Sequence, residues 1–128
     1  MSYYFTKKFE SVSFDQVVEN TTEALKMEGF GVLTNIDMRT TLKNKLDVDI
    51  PRYVILGACN PGFAYKAVQA EDNIGLLLPC NVIVYEKDNA VVVSIINPVV
   101  AMESVKNESL EPIATEVLEK LKRVISTI

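Results

Sequence analysis

The chain contains no histidine, and that absence removes several kinds of chemistry at once. There is no Ser-His-Asp or Cys-His nucleophile system, no imidazole general base and no histidine metal ligand. A four-ligand zinc site would have to recruit carboxylates or a second subunit. Any catalysis would rest on thiols, carboxylates, lysine or tyrosine, or on a bound cofactor that the sequence does not identify. Whether the chain is an enzyme stays open at this level.

An excess of positive charge is also missing. The net charge is −4, and the basic groups at Lys7/Lys8, Lys43 to Lys45 and Lys120 to Arg123 are interleaved with acidic or apolar residues. Nucleic acid needs lysine and arginine gathered on one surface, so no nucleic-acid partner is expected. No segment has the apolar length needed to cross a bilayer, so no membrane partner is expected either. The start, Met1-Ser2-Tyr3-Tyr4-Phe5-Thr6-Lys7-Lys8, places its charges after its apolar residues. A secretory signal has the opposite order, which makes the reducing cytoplasm the expected location. Two cysteines there are more often free thiols than a structural disulfide. Internal repeats, low-complexity stretches and linkers are absent as well.

What remains is a chain of 128 residues, 48% apolar and 23% charged, the composition of one globular domain spanning residues 1–128. Ser2 to Phe9 alternates as a strand, with Tyr3, Phe5 and Phe9 on one face. Ser13 and Gln16 form a capping-box pattern that opens a helix, and Gly29 is placed to stop it. Phe30 to Ile36 reads as the second strand. Asp37 can cap a short helix carrying Met38, Leu42 and Leu46, ended by Asp47, Asp49 and Pro51. Tyr53 to Ala58 reads as the third strand. Asn60-Pro61 then supplies an N-cap and a first-turn proline for a helix carrying Phe63, Ala64, Ala67 and Val68.

Ile74 to Leu78 is an apolar connector closed by Pro79. Asn81 to Glu86 and Val91 to Asn97 form a hairpin around Lys87-Asp88-Asn89-Ala90. Both faces of that hairpin are apolar, so helices, loops or a second subunit must cover both, and the two strands belong at the centre of the sheet. From about Ser109, with Pro112 in its first turn, a long apolar stripe runs to Ile125. The expected architecture is an α/β fold of α+β type. It is a two-layer sandwich in which helices, including a long C-terminal one, pack on a mixed sheet of about five strands.

The residues left over by this structural reading centre on the two cysteines. Cys59 stands at the mouth of the helix that Asn60 would cap, where free N–H groups favour a thiolate or an anionic ligand group. Finishing a strand as a small apolar residue is the blander alternative. Cys80, within Pro79-Cys80-Asn81, opens the next strand. If the two strands are parallel, the thiols fall at opposite edges. If they are antiparallel, end and start share an edge and the thiols can meet. The helical crossover favours parallel pairing, whereas the connector is long enough to bring the chain back, so the choice stays open. Asn60, Asn81 and Asn97 would form a polar ligand-binding rim if they share one edge; separately, each reads as a cap or turn residue. Glu71, Asp72, Glu86 and Glu103 show no acid–base spacing, and Gly29-Phe30-Gly31 lacks a dinucleotide fingerprint.

Several segments together resemble the uncharacterised family called domain of unknown function 302. They are Glu28-Gly29-Phe30-Gly31-Val32-Leu33, Ile55-Leu56-Gly57-Ala58-Cys59-Asn60-Pro61 with Ala64 and Ala67, and Gly75 through Tyr85. Asn97-Pro98 and Met102 match as well. The resemblance runs over nearly the whole chain and implies a stand-alone α/β domain that pairs as a homodimer. It implies no activity.

Three functions fit these residues. The first is a homodimeric module holding a small ligand, an anionic one among the options, at Cys59, Asn60, Cys80, Asn81 and Asn97. The second is a thiol-based redox or soft-metal protein, with Cys59 the candidate reactive thiol and Cys80 its partner. The third is a structural interaction protein.

Overall fold

The structure, a computed structural model, describes residues 2–128. Strand β1 (Tyr4–Phe9) leads into helix α1 (Phe14–Met27), then β2 (Gly31–Asp37), α2 (Met38–Leu46), β3 (Tyr53–Cys59) and α3 (Pro61–Ala70). A 3-10 segment over Asp72–Leu77 precedes β4 (Cys80–Lys87) and β5 (Ala90–Ile96). A short helix α4 (Pro98–Ala101) and two 3-10 turns lead to the long α5 (Glu111–Thr127).

The sheet order is β1-β5-β4-β3-β2, so the apolar hairpin β4–β5 does occupy the interior. All four pairings are antiparallel, not mixed as the helical crossover had suggested. The reason lies between β3 and β4. After α3 the 3-10 segment returns the chain to the edge where β3 ended, and β4 starts there in the opposite direction. Asp88 and Asn89 both have positive φ, which closes β4–β5 as a two-residue hairpin turn.

Local chemistry accounts for the helix ends. Ser13 Oγ accepts the Gln16 amide at 3.2 Å, but the Gln16 side chain donates to Asn20 instead of returning to the cap, so only half of the capping box forms. At the other end of α1 the Gly29 and Phe30 amides donate to the Lys26 and Leu25 carbonyls. Gly29 takes φ +85, the left-handed turn that ends a helix of this type and that a side chain would strain. Asp37 caps α2 through the Thr40 amide at 3.0 Å, yet α2 buries none of its residues. The spacing of Met38, Leu42 and Leu46 produces a helix there without a buried stripe.

Helices α1 and α5 contact each other and the central strands. Val17 and Leu25 of α1, Leu121 and Val124 of α5, and Leu56, Val82, Val84, Val93 and Ile95 of the sheet are fully buried between them. Each such side chain contributes about 1.5–3 kcal/mol by leaving water. On β1, Phe5 and Phe9 join this core while Tyr3 is exposed, so the aromatic face is Phe5/Phe9 without Tyr3. A second cluster forms where α3, the 3-10 segment and the start of α5 meet, around Ala67, Ile74 and Leu110. The opposite sheet face is half-exposed and mainly apolar, with Thr6, Lys8, Asn81 and Ser94 also on it. Tyr4, Ile55, Ile83, Tyr85, Val92 and Ile96 lie on it, with Tyr53 stacked on Tyr85 at 5.5 Å.

Candidate functional site: a two-thiol cavity

The antiparallel return of β4 settles where the cysteines lie. Ala58 stands opposite Cys80 in the β3–β4 register, so Cys59 is one residue beyond direct pairing with Cys80. Strand alternation alone would send the Cys59 side chain to the other face of the sheet. Cys59 is the last residue of β3, however, where the chain turns into α3, and both cysteines border one cavity of about 30 Å³. That volume is of the size of one or two water molecules, and the cavity opens partly to solvent beside the half-buried Cys59.

The walls come from four elements. Phe63 and Ala67 of α3, Leu78 and Pro79 of the connector, Met102 after α4 and Val117 of α5 surround the two thiols. Neither cysteine is in a disulfide; Cys59 is half-buried and Cys80 is buried. Burial, and secondarily the charge of a Cys59 thiolate nearby, pushes the Cys80 thiol up to about 11. Cys80 is therefore a neutral thiol at neutral pH. No charged side chain lines the cavity, and Asn60 supplies its one polar side chain.

Asn60 occupies the N-cap position of α3, with Pro61 in the first turn as its sequence implies, but its side chain does not cap the helix. Its Nδ2 instead donates to the Glu28 carbonyl at 3.4 Å. The Glu28 carbonyl lies at the end of α1, and Gly29 makes room for the amide. A Cβ on Gly29 would sit 3.0 Å from Asn60 Nδ2. Asn60 thus joins the end of α1 to the start of α3 and holds the backbone that carries Cys59. Glu28 is tied from the other side as well, its carboxylate accepting from Arg123 of α5 at 3.1 Å.

The other two asparagines are placed elsewhere, and no shared polar rim forms. Asn81 is exposed and lines a groove on the half-exposed sheet face, beside Tyr4, Ile83 and Tyr85. Asn97 is buried, and its Oδ1 accepts the Val99 and Val100 amides at the start of α4. Its Nδ2 donates to the Ser2 carbonyl at 3.3 Å, pinning the N-terminal segment. Of the five residues singled out from sequence, Cys59, Asn60 and Cys80 come together.

Sequence reasoning missed Phe30, Met102 and Val117 as walls of this cavity. One signal for Met102 was available. The Asn97-Pro98 pair repeats the Asn60-Pro61 pattern, and Pro98 and Met102 both reach the cavity. Phe30 and Val117 carried no signal distinct from ordinary core residues.

Among the described residues no group of three or more histidine, cysteine or carboxylate side chains is placed to hold a metal ion. No helix of the described residues is long and apolar enough to cross a membrane. The profile of the family described as "Domain of unknown function DUF302" matches residues 5–128. The crystal structure of an uncharacterised conserved DUF302 protein from Bacillus stearothermophilus superposes with a TM-score of 0.91 at 25% identity. That likeness covers 99% of this chain and 98% of the other. No curated protein matches the chain.

Proposed function

The chain belongs to the DUF302 family, and from that premise we propose that it is a homodimeric binding module holding a small, thiophilic ligand between Cys59 and Cys80. One observation carries the reading: antiparallel pairing of β3 and β4 puts both cysteines on a single apolar cavity. The lining argues for the ligand class. An anionic ligand would find no charged side chain there, whereas a soft ligand would find two sulfurs in a largely apolar wall. A thiol–disulfide role is less well supported, because burial keeps Cys80 protonated and slow to attack.

The test uses methylarsonous acid, a compact reagent whose arsenic joins two neighbouring thiols with loss of two waters. Intact mass should show one adduct per folded chain, removable by a dithiol and not by a monothiol. Cys59→Ser and Cys80→Ser should each abolish it. Folded wild-type protein whose thiols take up neither this arsenical nor a single soft ion would end the two-thiol reading.

The dimer rests on a separate observation, the half-exposed apolar face of the sheet. A groove of about 310 Å³ crosses it, lined by Tyr3, Tyr4, Ile83, Tyr85 and Ile96 together with the polar Asn81 and Ser94. Five strands about 4.8 Å apart and about 20 Å long give a footprint near 480 Å² per chain, or roughly 1,000 Å² in total. That is the size at which a specific interface begins, and side-chain relief adds to it. A second copy presents the same apolar surface, so a two-fold pairing of like faces covers both at once.

A further inference from the structure

We propose that the two-thiol cavity is a site for a single monovalent copper ion held by Cys59, Cys80 and Met102, a reading that rests on the two-thiol function above. Three sulfur-bearing side chains border this one cavity, from the end of β3, the start of β4 and the residue after α4. Thiolate and thioether sulfur together select soft d10 ions, and among the common ones copper(I) accepts two or three ligands. Zinc asks for four, and neither a carboxylate nor histidine lines the cavity to complete its set.

Size and solvent agree with this choice. A cavity of about 30 Å³ is of the size for one small ion, and a lining that is apolar apart from its sulfurs and Asn60 offers hard cations few oxygen partners. Apolar side chains, Phe63, Leu78 and Val117 among them, form most of the wall around the three sulfurs. Binding balances as ligand exchange: two thiol protons leave to solvent, two copper–sulfur bonds form, and the Met102 thioether adds a third contact without proton loss. No electron is transferred. Cys59 stands one residue past the Ala58–Cys80 pair, where β3 turns into α3, and its side chain borders the same cavity as Cys80 and Met102.

The experiment titrates the reduced, full-length protein anaerobically with copper(I) against the chelator bicinchoninate. The expected result is one ion per chain, with the near-ultraviolet thiolate-to-copper band. Cys59→Ser and Cys80→Ser should each lose retention in that competition. Met102→Leu, which keeps the side-chain volume, should weaken affinity about tenfold while leaving stoichiometry and folding unchanged. An unchanged affinity in Met102→Leu removes the third ligand and overturns the three-sulfur site. One ion per two chains also overturns it, since the metal would then bridge copies. If wild-type protein forms the arsenical adduct but retains no copper(I), the metal assignment fails and the two-thiol pocket stands. Failure of both probes removes the pocket itself.

Discussion

Replacing Cys80 by alanine should flatten the alkaline limb of the stability curve. In the folded chain the Cys80 thiol ionises near 11, against an ordinary value of 9.0. Below pH 9 the thiol is protonated in both folded and unfolded chains, so it adds nothing to the pH dependence. Between pH 9 and 11 the unfolded chain releases a proton that the folded chain keeps, and unfolding gains accordingly. Two pH units correspond to about 2.7 kcal/mol, so the wild type should lose roughly 2–3 kcal/mol over that window and level off above it. Alanine removes the group and with it this loss, at a fixed cost for the vacated volume that does not vary with pH. The assay is urea unfolding of both proteins at intervals from pH 8 to 11.5, reading the difference between the two curves, in which tyrosine and lysine titration cancels. Cys59→Ser should leave most of the slope, because burial is the larger cause and the Cys59 charge the smaller. Alkylation gives an independent reading. At pH 8 about one Cys80 in a thousand is a thiolate, against about one in ten for a thiol of pKa 9, so its modification should be at least about a hundredfold slower. Parallel stability curves for wild type and Cys80→Ala would refute the burial argument.

Three further changes test the frame around the site. Gly57 faces the Thr34 hydroxyl across β2–β3, and an added Cβ would lie 2.8 Å from Pro79 Cγ, so Gly57→Ala should destabilise by about 1–3 kcal/mol in chemical denaturation. Adding Thr34→Ala should recover part of that loss, and full stability of Gly57→Ala alone would show that the crowding is relieved elsewhere. Ile83→Lys sets a charge at the middle of the half-exposed sheet face. Sedimentation velocity should find a wild-type dimer and a folded monomeric variant, and a monomeric wild type at micromolar concentration would dispose of the paired-sheet reading. Asn97→Ala removes the acceptor for the Val99 and Val100 amides and the donor to Ser2, and should cost about 1–2 kcal/mol by thermal melting; a loss within error would mean that water replaces the cap.

Much of the fold was legible because its signals are local. Apolar residues on both faces of β4 and β5 required an interior position, and the sheet order places them there. Ser13, Asp37 and Gly29 marked helix ends by chemistry that acts within a few residues, and each sits at the helix end read for it, although only the Ser13 half of its capping box forms. The direction of β4 was not legible. It depends on the path of Asp72–Leu77, whose apolar residues fit either a crossover or a return. That one non-local choice decides whether the thiols share a cavity, so their shared cavity lay outside what spacing can report.

The two Asn-Pro pairs show the same limit at the scale of a single side chain. Both place asparagine at an N-cap with extended backbone and proline in the first turn. From sequence they are the same signal, and both end a strand and start a helix as that signal requires. The side chains then diverge. Asn97 caps its own helix, whereas Asn60 turns to the Glu28 carbonyl beside a glycine 31 positions earlier in the chain. Gly29 permits this contact, since a side chain at its position would crowd the Asn60 amide. A local motif therefore fixes where an element begins, while distant residues decide what the motif's side chain holds. At Cys59 the consequence is one of position. The thiol owes its position to the strand end that Asn60-Pro61 enforces, and it owes its partner to the return of a strand that starts 21 residues later.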